Sequence, residues 1–62
     1  MSFSIAQRNA AFGAVKVQLM AMIDENAGFF AGSIKSKITN AEILVISNAA
    51  LDGAAKIQET KP

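Results

Sequence analysis

The chain of 62 residues contains no cysteine and no histidine. Without cysteine it can form neither disulfides nor thiolate metal sites. Without histidine it lacks the commonest metal ligand and the commonest general base. A single hydrophobic core is marginal at this size, and small proteins are usually reinforced by disulfides, a metal or partner chains. We therefore expect this chain to depend on oligomerisation or on unusually good helix packing.

Aromatic and charged residues are also scarce. Tryptophan and tyrosine are absent, and the net charge is +1 from six basic and five acidic residues. The basic residues are spread along the chain and form no patch that could hold a nucleic-acid backbone. Basic and aromatic residues do not interleave as they do on surfaces that bind single strands. We expect no nucleic-acid partner.

Long uncharged apolar runs are missing as well. A transmembrane helix needs about 18 or more such residues, and Lys16, Asp24 and Asp52 interrupt the longest candidates. The N-terminal segment lacks the uninterrupted apolar run of a secretory signal peptide, because Arg8 breaks it. We expect no membrane partner. The compartment stays open between the cytoplasm and export without a classical signal peptide.

The residues needed for catalysis are also missing from any recognisable arrangement. No metalloprotease, phosphate-loop, dinucleotide-binding or calcium-loop motif is present. The five serines have no histidine to activate them, and the adjacent acids Asp24 and Glu25 diverge on a helix. We predict a protein that is not an enzyme, with no cofactor and no metal ion.

Two capping signals predict where helices begin. Ser4 and Gln7 fit the capping-box pattern, and so do Thr39 and Glu42. We predict one small helical domain over residues 1–62, with a helix at about 5–26, a connector at about 27–38 and a second helix at about 39–59. In the connector and the start of the second helix, residues 32–47 also carry alternating and β-branched segments, so a β-hairpin there is the alternative.

The stretch GFFAGSIKS, residues 28–36, has two readings. The spacing of Gly28 and Gly32 permits close helix approach if one helix continues through both. Alternatively, Gly28 ends the first helix in a left-handed conformation and the stretch is a turn, with Phe29 and Phe30 packed into the core. Both readings bury the two rings, because such apolar side chains are unfavourable in water.

The end of the first helix carries a further ambiguity. Asp24 and Glu25 lie in its last turn, where the helix dipole disfavours acidic residues. Either the helix continues through Gly28, or a basic group lies beside these acids.

The second helix shows one broad apolar face at ~100° per residue. Its expected centre is formed by Ile43, Ile46, Ala50, Ala54 and Ile57, with Leu44, Leu51 and Ala55 widening it. Asn48 and Asp52 fall on the opposite, polar face, where Asp52 and Lys56 are spaced to form a favourable pair. Val45 also points into that polar face.

The first helix shows two apolar stripes, where packing on one neighbour needs only one. The stripe of large side chains comprises Ile5, Phe12, Val15, Leu19, Met22 and Ile23. The stripe of small side chains lies on the far side and comprises Ala6, Ala10, Ala14, Val17 and Ala21. A single partner helix cannot cover both, so we infer that other chains do. The alternative is that the alanines are simply good helix formers that face water.

These patterns predict an all-α protein, a helical hairpin or a short three-segment helical bundle that oligomerisation stabilises. The leading hypothesis is a structural subunit that self-assembles into a homo-oligomer or a helical filament. The alternatives are a small adaptor or regulatory protein that docks on a larger protein, and a membrane-active peptide. The predicted interface residues are Ala6, Ala10, Ala14, Ala21, Phe12, Leu19, Phe29, Phe30 and Val45.

Overall fold

The computed structural model describes residues 2–60. Its elements in chain order are α1 (Ile5–Ala27), a single 3₁₀ turn (Gly28–Phe30), α2 (Ala31–Ser36) and α3 (Asn40–Thr60). The described residues form no strand, so the predicted all-α class is confirmed and the β-hairpin alternative is excluded there. The helices predicted at about 5–26 and 39–59 correspond to α1 and α3, and the predicted connector holds α2.

Both long helices begin at the predicted capping boxes. The Gln7 backbone N–H donates to Ser4 Oγ at 3.1 Å, and the Ser4 N–H donates to Gln7 Oε1 at 2.8 Å. At α3 the Glu42 N–H donates to Thr39 Oγ1 at 3.2 Å, and the Thr39 N–H donates to Glu42 Oε1 at 3.0 Å. These bonds satisfy backbone donors that a helix start otherwise leaves unpaired.

Helix α1 ends at Gly28, which has φ 52° and ψ −117°. Residues with a side chain rarely adopt a positive φ, so glycine suits this position. The helix does not continue to Gly32, so the chain turns at Gly28 as the turn reading expected, and the continuous-seam reading is wrong. The ψ of −117° differs from the left-handed helical conformation that was expected there. Near the turn, Lys35 Nζ lies 2.6 Å from Asp24 Oδ1. Lys35 is therefore the basic group that was expected beside the acidic residues in the last turn of α1.

The chain folds into a hairpin whose second arm is broken. Asp24 of α1 pairs with Lys35 of α2, and Arg8 of α1 pairs with Asp52 of α3. Low numbers in α1 therefore lie opposite high numbers in the returning arm, which runs antiparallel to α1 and is interrupted between α2 and α3. The molecule measures 47 × 22 × 14 Å. The smallest dimension is close to the diameter of one helix with its side chains, about 10–12 Å, so the hairpin is a single flat layer.

The interior of this layer is small. The buried residues are Ala31, Ile43, Ser47 and Ala55, and of these only Ile43 has a large apolar side chain. The half-buried residues of α1 lie on the side of the helix that carries Arg8, whose guanidinium contacts α3. This side is the inner face of α1. The side of α3 that packs against it presents Ser47 and Ala55, whose small side chains allow a close approach to α1.

The predicted inner face of α3 is wrong in part. Ile46 and Ile57 are more than half exposed, and Ala50 and Ala54 are also exposed. The buried positions are instead Ile43, Ser47 and Ala55, which share a four-residue spacing with the half-buried Leu51. The prediction selected the most apolar arc of the helix, whereas the packing selected the arc whose small residues bring the helices together. Asn48 and Asp52 were predicted on the far side, and both bind Arg8 at the edge of the inner face.

Two further expectations about large side chains are corrected. Ile5 and Met22 are mostly exposed, although both were placed in the packed stripe of α1. Phe29 and Phe30 do not enter the core of the chain, since Phe29 is 95% exposed and Phe30 is 65% exposed. The reason is geometric: the turn at Gly28 carries both rings to the end of a single layer of helices, where no other part of residues 2–60 covers them.

Candidate interaction surface

Large apolar side chains cover much of the outside of the hairpin. Those that are exposed among residues 2–60 are Ile5, Val17, Met22, Phe29, Phe30, Ile34, Leu44, Val45, Ile46 and Ile57. Single exposed apolar residues are normal on soluble proteins. Groups of neighbouring ones mark binding surfaces. Two groups hold six of these residues, and a further group, made mostly of small side chains, holds Val17.

The first group lies on the outer face of α3, defined here as Val45, Ile46, Ala49, Gly53 and Lys56. At ~100° per residue most of these positions point away from the inner face marked by Ile43, Ser47 and Ala55, and Ile46 lies between the two faces. Val45 is 68% exposed and Ile46 is 55% exposed. The face is uncharged from Val45 to Gly53, which is unusual for the solvent side of a helix.

The second group lies on the outer face of α1, defined here as Ala6, Ala10, Gly13, Ala14, Val17, Ala21 and Asp24. All seven residues are exposed. The helical spacing of the first six places them opposite the inner face, whereas Asp24 lies at the edge of this face, where its carboxylate binds Lys35 of α2. The face carries no charge before Asp24 and no side chain larger than valine. Gly13 lies in the middle of the helix, although glycine costs about 1 kcal/mol there against alanine. A Cβ atom at Gly13 meets nothing within 4 Å, so no contact within the chain requires the glycine.

The third group is at the bend. The rings of Phe29 and Phe30 pack edge to face with their centroids 5.4 Å apart. Beside them, a shallow apolar groove runs between the end of α1 and α2. Its lining comprises Leu19, Met22, Ile23, Asn26, Ala27 and Ile34. The bend therefore presents both a protruding apolar knob and an apolar depression.

The predicted interface residues fall into two classes. Ala6, Ala10, Ala14, Ala21, Phe29, Phe30 and Val45 are exposed, so the chain itself leaves them uncovered. Phe12 and Leu19 are half-buried on the inner face of α1, so part of their surface is used within the hairpin. Whether any of the nine contacts another molecule stays a prediction.

A polar cluster holds the two long helices together at the other end of the hairpin. Arg8 Nη1 donates to Asn48 Oδ1 at 2.9 Å, and Nη2 donates to Asp52 Oδ1 at 2.6 Å. Arg8 Nε donates to the Phe3 carbonyl oxygen at 3.3 Å. Arg8 is 40 residues from Asn48 and 44 residues from Asp52 in the chain, so no local sequence pattern predicts this cluster.

Ser47 is a second feature that the sequence analysis did not identify. Its side chain is 1% exposed, and its Oγ atom has no hydrogen-bond partner. A buried unpaired hydroxyl is unfavourable. Its place in the four-residue spacing with Ile43, Leu51 and Ala55 is the only signal that pointed to burial.

The described residues also bear on metal binding and membranes. Across residues 2–60, no three acidic side chains come together as a metal site would need. Within the same range, no helix is both long enough and apolar enough to cross a membrane. Comparisons of the chain with family models, with curated proteins and with solved structures found no match.

Proposed function

We propose that this protein is a non-enzymatic structural subunit that assembles with copies of itself through its apolar helix faces. The observation that carries the proposal is the surface that the isolated chain exposes. Its accessible area is 4665 Å² for a mass of 6.5 kDa, whereas a compact monomer of this mass exposes about 3,800 Å². The excess, about 800 Å², matches what one partner buries in a standard-size protein interface.

The small interior supports the same proposal. Full burial of a side chain such as Ile43 contributes about 1.5–3 kcal/mol, and Ile43 is the one large apolar residue that residues 2–60 bury completely. Ordering each residue of the backbone costs about 1–2 kcal/mol. Burial of the outer faces and the bend against other copies adds the apolar contacts that one hairpin lacks.

The outer faces carry little charge, with Asp24 at the end of one and Lys56 at the end of the other, which favours contact with copies of the chain over contact with solvent. Seven of the predicted interface residues are exposed on these faces or at the bend, and they are the surfaces that a self-assembling hairpin needs. The self-assembly reading therefore requires no change in the fold of the subunit.

A second candidate function rests on the groove at the bend. Its lining between α1 and α2 is almost entirely apolar, and an amphipathic helix of another protein can lie in such a groove. A small adaptor that docks on a larger protein would use the chain in this way.

Sedimentation velocity separates these candidates. The subunit hypothesis predicts particles of several copies at high micromolar concentration and smaller particles on dilution. A folded monomer at every concentration would contradict it and leave the adaptor as the better candidate. A dye-release measurement with lipid vesicles tests the third hypothesis, since only a membrane-active peptide should release the dye.

A further inference from the structure

We infer that copies associate edge to edge, with the outer face of α3 in one copy packed on the outer face of α1 in the next. The inference rests on the proposed function and specifies its contact. Both faces were defined above by their residues, and both are exposed. The occupant of each face is thus a second copy of this chain.

Side-chain size makes the two faces complementary. On α3, Val45 is followed by Ala49 four residues later and by Gly53 after four more. On α1, Gly13 is followed at the same spacing by Val17 and then by Ala21. When the helices are aligned in parallel, each layer of the contact places a larger side chain against a smaller one. Such pairing lets helix surfaces interdigitate.

Gly13 and Gly53 fit this arrangement. Neither has φ in the positive range, and a Cβ atom at either position meets nothing within 4 Å of the chain. Each glycine therefore lowers the stability of its helix, and no contact or backbone conformation within the chain explains why it is there. In the aligned contact, Gly13 lies opposite Val45 and Gly53 lies opposite Ala21, where a missing side chain lets the helices approach.

Charge fixes the direction of the contact. Lys56 follows Val45 by eleven residues, and Asp24 follows Gly13 by eleven residues, so the parallel alignment brings these opposite charges together. Asp24 already pairs with Lys35, yet its side chain is still 54% exposed. The antiparallel alignment instead brings Asp24 towards Glu42, and like charges at a contact are unfavourable.

The contact has a consequence for the form of the assembly. The two outer faces lie on opposite edges of the flat layer, so two copies that make one contact still leave one face of each kind uncovered. Such a heterologous contact continues until it closes into a ring or forms a filament. Because α1 and α3 are antiparallel within a chain, a parallel contact between chains turns each successive copy over.

Disulfide trapping tests this contact. Because the chain has no native cysteine, each single-cysteine variant carries one thiol, and any covalent dimer must join the introduced positions. Val17→Cys and Ala49→Cys chains are mixed in equal amounts and oxidised mildly, and the covalent dimers are identified by mass. The inference predicts that the mixed dimer exceeds the share that random pairing gives. Ser33→Cys, on the exposed surface of α2, replaces Ala49→Cys in the control mixture and should give no such excess.

A second pair of mixtures tests the direction. Ala21→Cys should cross-link faster with Gly53→Cys, its parallel partner, than with Val45→Cys, its antiparallel partner. The reverse order would overturn the parallel alignment.

Other outcomes separate this inference from the proposed function. If Val17→Cys pairs mainly with itself, or if the mixed dimer stays at the random share while the wild-type chain still sediments as an oligomer, the edge-to-edge contact is wrong and self-assembly stands. If the wild-type chain sediments as a monomer throughout, the proposed function fails as well.

Discussion

Arg8 Nη2 lies 2.6 Å from Asp52 Oδ1 and joins the first turns of α1 to the middle of α3. The same guanidinium also binds Asn48 and the Phe3 carbonyl group. Its planar fork of donors suits several acceptors at once. This one side chain therefore fixes how α3 lies against the start of α1, where the buried surface is small.

Replacement of Arg8 by alanine should destabilise the hairpin by about 1–2 kcal/mol, since hydrogen bonds to a charged group contribute about that much and the pair is partly solvated. Arg8→Lys should recover only part of this loss, because an ammonium group cannot reproduce the fork. Thermal unfolding followed by circular dichroism, at one fixed protein concentration, measures both. Equal stability of all three proteins would mean that the cluster contributes nothing.

Replacement of Ser47 by alanine should stabilise the protein by about 1 kcal/mol. The change removes a buried hydroxyl without a partner and adds helix propensity. Ser33→Ala is the matched control, because Ser33 is exposed on a helix and its replacement changes propensity alone. A larger rise in the unfolding midpoint for Ser47→Ala than for Ser33→Ala is expected. A fall would show that the hydroxyl has a favourable role.

Gly28 and Gly32 should respond to alanine in opposite directions. Gly28 has φ 52° and ψ −117°, a conformation sparsely populated by residues other than glycine that costs about 1–3 kcal/mol, so Gly28→Ala should lower the unfolding midpoint. Gly32 lies in α2, and a Cβ atom there meets nothing within 4 Å. Gly32→Ala should therefore raise the midpoint, by up to about 1 kcal/mol in stability. If Gly28→Ala is also stabilising, the bend has been placed wrongly.

The start of α3 should be sensitive to acid. The backbone N–H of Thr39, and then its hydroxyl, donate to the Glu42 carboxylate and lower the pKa of Glu42 below its ordinary value. A lowered folded-state pKa contributes stability that is present above the unfolded pKa, about 4.3 for glutamate. That stability is lost as the pH falls through the folded pKa.

The variant Glu42→Gln isolates this effect, because glutamine can still form a capping box but does not titrate. The wild-type protein should be the more stable of the two at neutral pH, and the difference should vanish in acid below the folded pKa. Unfolding midpoints across the pH range measure it. A difference that does not change with pH would show that the Glu42 charge is irrelevant to the cap.

Local chemistry explains which parts of the fold the sequence could predict. The two capping boxes and the glycine at the end of α1 act within four residues, so Ser4, Thr39 and Gly28 could be assigned from sequence. The all-α class followed from the same signals together with the abundance of alanine.

The packed faces could not be predicted in the same way. Ile46 is more hydrophobic than Ser47, yet Ser47 is buried and Ile46 is exposed. Which of the two residues is buried depends on how closely α3 approaches α1. The number of apolar residues on one helix gives no information about that distance. The Arg8 cluster could not be predicted for the same reason, because Asn48 and Asp52 lie on another helix.

The dependence of the unfolding midpoint on protein concentration tests the central claim most directly. If copies of the chain cover the surface that one hairpin exposes, the midpoint should rise steadily as the concentration is raised from low to high micromolar, because association stabilises the folded form by mass action. A helical chain that unfolds at one temperature across that whole range would show that the hairpin is stable by itself, and would contradict the account.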